Sequence, residues 1–288
     1  MEEKKEVNVI NWFPGHMQKT RRQMQENLKL VDIVIELRDA RLPLSSANPM
    51  IEEIIGQKPR LLVLTKRDMA DPKVLNDWLR YFKAHGIEVL AIDATHDDLK
   101  KLIVPTVKEL LRDKLERAKA RGIRKKVLRA MICGIPNVGK STFINGIVKK
   151  RAAKVENRPG VTRSLSWIRL NEDLELLDTP GVLWPRLEDQ EAAKKLVLIG
   201  SIKDEVVDLD TVVSSALLYL KEHYPSILKE RYHLEELNED PKIILDDIAI
   251  SLNLLADGKA DTKRAQNFIL KDIRSERLKG ISLEEPNE

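Results

Sequence analysis

The eight residues Gly134-Ile135-Pro136-Asn137-Val138-Gly139-Lys140-Ser141 follow the spacing G-x-x-x-x-G-K-[ST]. Glycines at both ends of the loop let backbone amides converge on one point. The lysine brings a cation on a long stem, and the hydroxyl offers a hard oxygen to a metal ion. The chemistry this set fits is capture of a polyphosphate. The amides of Asn137, Val138, Gly139, Lys140, Ser141 and Thr142 would line the phosphates, Lys140 would reach the β- and γ-phosphates, and Ser141 would ligate Mg²⁺. The apolar run Val127–Cys133 precedes the loop, and Ser141-Thr142-Phe143-Ile144 starts a helix. A strand–loop–helix of this kind aims the positive end of the helix dipole at the same phosphates. Cys133, the last residue before the loop, reads as a small buried hydrophobe.

Further groups fall into place around that loop. Asp178-Thr179-Pro180-Gly181 closes the apolar run Leu174–Leu177. An acid at the carboxyl end of such a strand holds magnesium, usually through water, and Gly181 lets a backbone N–H approach the γ-phosphate. Between the two motifs lies Arg158-Pro159-Gly160-Val161-Thr162-Arg163, where Thr162 is placed to ligate the same metal in the triphosphate state. Upstream, Leu61–Leu64 ends in Thr65-Lys66-Arg67-Asp68. Guanine offers N1–H and N2–H₂ along one edge, two donors that one ionised carboxylate accepts together, and adenine has no such pair. Asp68 is therefore the candidate discriminator, with the Lys66 stem packed on the base plane. Thr65 stands where GTPases more often carry Asn. Asp93-Ala94, after the run Ile87–Ile92, is placed to offer a backbone N–H to guanine O6.

The order of these motifs is unusual. Ras-like GTPases run phosphate loop, switch threonine, D-x-x-G, base motif and Ala loop. Here the base motif and Ala loop come first, so the set is complete but circularly permuted. Short apolar runs at Ile33–Leu37, Arg60–Leu64, Ile87–Ile92 and Val127–Cys133 alternate with helical patterns near 50–55, 71–84, 97–120 and 140–148, and 166–170 with 174–177 reads as two more strands. That alternation predicts an α/β domain, a mostly parallel sheet with helices on both faces. Beyond Pro185 only helical patterns follow, at 190–199, 209–221, 241–255 and 262–279. The predicted division is a permuted Ras-like P-loop domain over residues 1–185 and a smaller all-α domain over 186–288, with the boundary near Trp184-Pro185-Arg186.

Composition sets outer limits. Of the 288 residues 42% are hydrophobic and 33% charged, enough to bury a core and leave a heavily charged surface. A net charge of +4 is small, but it is unevenly spread, with nine Lys or Arg against two acids between Arg112 and Arg129. Such a run permits an anionic partner such as RNA. A second basic set, Lys259, Lys263, Arg264, Lys271, Arg274, Arg277 and Lys279, is predicted to share one helical face. The single cysteine excludes an intramolecular disulfide. With no apolar run of membrane-spanning length and a charged amino terminus, the expectation is a cytoplasmic protein without membrane contact.

Taken together, the permuted order, Trp12-Phe13-Pro14-Gly15-His16-Met17, Asp39-Ala40-Arg41, the phosphate loop, Asp178-Thr179-Pro180-Gly181-Val182-Leu183-Trp184-Pro185 and Glu222-His223-Tyr224-Pro225 closely resemble the ribosome biogenesis GTPase A (RbgA/YlqF) family. The likeness covers nearly the whole chain. Thr65 and Asp93 depart from the usual base motifs. The resemblance implies a GTP- and GDP-binding, GTP-hydrolysing factor that binds the immature large ribosomal subunit and leaves after hydrolysis, acts as a monomer, and contacts ribosomal RNA through its helical region. It implies a catalytic His16, and a potassium ion near Asn137. Val182 occupies the place of the glutamine that orients water in Ras-like enzymes, so intrinsic hydrolysis is expected to be slow. A nucleotide-dependent RNA-binding protein with incidental hydrolysis is the second reading. Because D-x-x-G leads straight into the helical region, GTP and GDP are expected to place that region differently.

Overall fold

A computed structural model describes residues 16–123, 126–148, 166–183 and 189–286. Its first part runs α1 (His16–Leu28), β1 (Ile33–Asp39), α2 (Pro49–Ile55), β2 (Arg60–Thr65), α3 (Pro72–Ala84), β3 (Val89–Ala91), α4 (Leu99–Leu110), α5 (Arg112–Ala120), β4 (Leu128–Gly134), α6 (Lys140–Val148), β5 (Ser166–Arg169) and β6 (Leu174–Asp178). The strands form one sheet in the order β3-β2-β1-β4-β6-β5, parallel except for β5 at one edge. Every residue of β1 is buried, as a central parallel strand covered on both faces requires. Phosphate-loop strand β4 lies beside β1, although β1 comes first in the chain. The permutation is thus a matter of connection only. Strand adjacency is satisfied whichever end of the sheet the chain enters.

The second part runs α7 (Gln190–Leu198), α8 (Leu209–His223), α9 (Pro225–Tyr232), α10 (Pro241–Ser251), β7 (Leu255–Ala256), β8 (Lys259–Ala260) and α11 (Thr262–Arg274). Asp189, Asp208, Asp240 and Asp261 cap α7, α8, α10 and α11, each accepting an amide of the first turn. Four details differ from the sequence pattern. The stretch 97–120 is two helices broken at Leu111. Helix α9, opened by Pro225 at its first turn, was not read from the pattern. Helix α10 stops at Ser251 because Asn253 turns left-handed, and Asp257-Gly258, both at positive φ, form the tight turn of a β7–β8 hairpin. Helix α11 ends at Arg274 rather than Lys279.

After α11 the chain runs back over the first part. Gly280 and Ile281 amides donate to the Met69 carbonyl at 2.9 and 3.2 Å, and the Leu283 amide donates to Arg41 O at 2.7 Å. The Glu284 carboxylate accepts from the Leu44 and Ser45 amides, and the Trp78 indole donates to Glu284 O. One hydrophobic cluster includes residues of both parts. The Trp184–Arg186 boundary lies outside the described residues.

Candidate functional site

The carboxyl ends of β2, β3, β4 and β6 point to one edge of the sheet, where parallel α/β folds place ligands. Leaving β4, the chain enters the phosphate loop, and α6 begins at Lys140 with half-buried Ser141 and Thr142 in its first turn. Lys140 is buried, and its ammonium donates to the loop's own carbonyls, Gly134 O at 3.2 Å and Ile135 O at 2.8 Å. Burial lowers its pKa to about 8, opposed by the nearby Asp178 charge. Burial also pushes the Asp178 carboxyl up to about 6, against the pull of Lys140. Asp178 Oδ1 is buried and has no hydrogen-bond partner. Cations and anions here are arranged for groups the protein alone does not supply.

Gly181 lies directly against the loop. A Cβ there would stand 2.8 Å from Lys140 Nζ and 2.8 Å from Pro136 Cα, so only glycine admits the approach. Val182 follows, wholly buried, its amide donating to Gly134 O at 3.3 Å and its carbonyl accepting from Asn48 Nδ2 at 2.6 Å. Nothing at this position can orient a water molecule. Cys133 is buried, and burial holds its thiol well above the usual range, in keeping with a packing role.

The base motif is joined to the loop by side chains. Thr65 Oγ1 donates to Val138 O at 2.6 Å, and Lys66 Nζ donates to Asn137 O at 3.0 Å. Lys66 takes a left-handed conformation at φ 58, and its ammonium reaches both Asn137 O and the Asp39 carboxylate. Half-buried Asp68 follows, its carboxyl pushed up by burial and by the charge of Asp93. Two N–H donors from a guanine edge would relieve that strain. Asp93 Oδ1 accepts the Thr95 and His96 amides, and Oδ2 meets His96 Nδ1 at 2.7 Å. The Ala94 carbonyl packs on α6, where a Cβ at Gly146 would stand 2.6 Å from it. The base loops and the phosphate helix therefore share one wall.

Several contacts of the site are not readable from the sequence. Asp39, at the end of β1, pairs with Lys66 Nζ at 2.9 Å and with Arg41 at 2.9 Å. Burial alone would raise its pKa, but Arg41 and Lys66 outweigh burial and hold it well below the carboxylate range. Asp39 thus fixes the lysine that should cover the base, and an acid ending a strand was the available signal. Asp97 joins the two base loops, accepting from the Asp93 amide and from Arg67 Nη2, both at 2.8 Å. Asn137 is left-handed at φ 58, and its Nδ2 donates to Gly200 O at 2.6 Å, a contact with the loop after α7. Ser201 Oγ likewise donates to Pro136 O at 2.6 Å. His16 opens α1, but its side chain, and all of Thr162, lie outside the described residues.

The basic face expected near the carboxyl end is divided. Lys259, Lys263, Arg264 and Lys271 are exposed, whereas Arg274 is consumed by Asp204 at 2.6 and 2.9 Å and by the Val197 and Leu198 carbonyls. Arg277 and Lys279 lie beyond the end of α11, beside Asp272 and Glu276.

Residues 129–246 match the family model described as a 50S ribosome-binding GTPase. The chain is 48% identical to the ribosome biogenesis GTPase A of Priestia megaterium, over 97% of this chain and 98% of that protein. It is 37% identical to the mitochondrial ribosome-associated GTPase 1 of Bos taurus, over 85% and 76% of the two. Among solved structures, GDP-bound TM YlqF is similar at TM-score 0.67 with 26% identity, covering 92% of this chain and 99% of that one. GNP-bound YlqF from T. maritima is similar at TM-score 0.66 with 25% identity, covering 94% and 99%. With such identity along almost the full length of both chains, the protein belongs to the ribosome biogenesis GTPase A family.

Proposed function

We propose that this protein binds GTP and GDP, hydrolyses GTP to GDP and phosphate, and serves late maturation of the large ribosomal subunit in the cytoplasm. It acts as a monomer, engages the immature particle and its ribosomal RNA in the GTP state, and leaves after hydrolysis. The observation that carries the nucleotide part is the convergence of Asp68, Ala94, Lys140 and Gly181 on one sheet edge, tied together by Thr65 and Lys66.

The orphaned, buried Asp178 Oδ1 fits a site for Mg²⁺. Asp178 and Ser141, joined by Thr162 in the triphosphate state, would hold the ion, whose charge offsets that of the β- and γ-phosphates when bound. Lys140 exchanges the Gly134 and Ile135 carbonyls for phosphate oxygens, and the loop amides complete the cradle. Gly181 brings its amide to the γ-phosphate. Asp68 accepts the guanine edge, the Lys66 stem covers the base, and the Asp93-Ala94 loop supplies an amide to O6.

Buried, apolar Val182 leaves the attacking water without a partner from the usual position, which favours slow hydrolysis until the ribosomal particle stimulates it. His16 is the group assigned to that water. A neutral imidazole accepts a bond from water at physiological pH. Asn137 Nδ2 is engaged by Gly200 O, and a potassium ion near Asn137 would use the amide oxygen. Faster turnover in potassium than in sodium is the expected mark of that ion. Residues 186–288 form the unit that meets ribosomal RNA.

Single-turnover GTP hydrolysis, with and without large ribosomal subunits, tests the whole reading. Stimulation by subunits that is lost in His16→Ala, with GTP affinity retained, supports it. Subunit binding that depends on nucleotide, without any stimulation of hydrolysis, favours the RNA-binding reading instead.

A further inference from the structure

The amino-terminal ends of the parallel strands form the edge of the sheet opposite the nucleotide site, and positive charge gathers there. Asp32 precedes β1, Lys58 precedes β2 and Lys126 precedes β4, so three adjacent strands bring these residues together. Helix α5 adds Lys114 and Arg117 across the same edge. Asp32 lies at the centre, with Lys114 Nζ at 2.6 Å, Lys126 Nζ at 3.8 Å and the Arg129 amide at 2.9 Å. Lys58 donates to the Val31 carbonyl at 2.7 Å. Its pKa is lowered by burial and by the like charge of Lys114, with Asp32 opposing. Four cations, Lys58, Lys114, Arg117 and Lys126, stand against two carboxylates, Asp32 and Asp113, and the set opens onto a cavity of about 610 Å³ lined by Lys58, Lys114, Arg117 and both acids.

From this arrangement we infer that the edge formed by Lys58, Lys114, Arg117 and Lys126 binds the phosphate backbone of RNA. The inference rests on the proposed ribosomal role and names a contact surface in the GTPase part, remote from the helical region. Three lysine ammoniums and one guanidinium suit several separate phosphates as point charges better than one planar ligand. Among the described residues no aromatic side chain lines the cavity, so no base is offered a stacking platform there, and contact falls on the backbone. Beyond the cavity, exposed Lys119 and Arg121 extend the charge along α5. Asp32 draws Lys114 and Lys126 together and only partly neutralises the cluster, so that charge remains for phosphates.

The test uses the full-length protein, deproteinised 23S ribosomal RNA in filter binding across a salt series, and co-sedimentation with large subunits. Lys58→Gln/Lys114→Gln/Arg117→Gln should lower RNA affinity at least tenfold near 0.15 M salt. It should also reduce the slope of log affinity against log salt by about 2 to 3, since each neutralised phosphate contributes roughly 0.7 to 0.9. GDP affinity should not change. Asp32→Asn keeps the acceptor for the Arg129 amide but removes the charge, and should bind RNA more tightly with a steeper slope. Lys73→Gln/Lys100→Gln/Lys101→Gln removes as many exposed charges from α3 and α4, outside both this edge and the helical region. A loss equal to that of the first triple variant, or an unchanged Asp32→Asn, overturns the inference. Competition by millimolar inorganic phosphate alone, or retention of an acidic protein such as poly-glutamate as tightly as RNA, overturns it too. Wild-type protein that binds neither the RNA nor the subunits defeats the ribosomal reading itself, a result distinct from wild-type binding that the variants leave untouched. If the triple variant misfolds, Asp32→Asn and Arg117→Gln alone decide.

Discussion

The Thr65 hydroxyl donates to the Val138 carbonyl at 2.6 Å, joining the base motif to a phosphate loop 73 residues away. Thr65 replaces the more usual asparagine, and it keeps the tie to the loop, its single hydroxyl hydrogen lying between Val138 O and the more distant Arg38 O at 3.1 Å. Thr65→Val preserves shape and removes that donor. It should cost about 1–3 kcal/mol of stability, since a buried carbonyl loses its partner. Urea denaturation and a fluorescent GDP titration check this. A variant with wild-type stability and GDP affinity would show the tie to be dispensable.

On the proposed reading Asp68 decides the base. Asn presents a donor where guanine also has donors, so Asp68→Asn should weaken GDP binding by at least about 100-fold. Xanthine carries a carbonyl in place of the exocyclic amine, and the variant should bind xanthosine diphosphate better than GDP. Competitive titration of the two nucleotides reads the switch directly.

Asp178 carries opposite effects on stability and on binding. Its pKa in the nucleotide-free fold, about 6, exceeds the ordinary 3.8, so the folded chain holds this proton more firmly than the unfolded one. Stability from this group is therefore greatest below pH 4 and falls as pH rises through 6. At pH 7 Asp178→Asn should stabilise the nucleotide-free protein by about 3 kcal/mol, each pKa unit being worth about 1.4 kcal/mol. Magnesium needs the ionised form, so magnesium-dependent nucleotide affinity should drop with pH below about 6 and be lost in the variant. Thermal melts with and without Mg²⁺–GDP, from pH 5 to 8, measure both signs.

The tail after α11 is a second tether between the parts of the chain. Glu284, nearly buried, accepts the Leu44 and Ser45 amides, and the buried Arg41 guanidinium donates to the Ile273 carbonyl. Glu284→Ala should release this tether and lower stability by about 1–3 kcal/mol. If nucleotide state moves the helical region, the difference in solution scattering between GDP and a non-hydrolysable GTP analogue should be larger in Glu284→Ala than in the wild type. Equal differences would show that the tail restrains nothing.

The sequence by itself determined the chemistry. The positions of the phosphate loop, Asp178, Gly181 and Asp68 at strand ends and a helix start were legible because local spacing sets them: a glycine turn must precede a helix, and an acid must end a strand. The permuted order was equally plain, since motif order is a property of the chain. Helix starts were marked by Asp caps and by Pro72, Pro225 and Pro241 in first turns, although α9 was missed and α10 and α11 were drawn too long. Helical periodicity does not register a left-handed Asn253 or a chain that leaves α11 to bind elsewhere. Only the tertiary structure decided that Asp39 holds Lys66, that Asp97 joins the base loops and that Asn137 meets Gly200. It alone divided the basic set at Arg274 and gathered Lys58, Lys114 and Lys126 around Asp32. Those relationships join residues distant in the chain, and their partners are fixed by which strands lie side by side and which faces become buried, properties that no local spacing encodes.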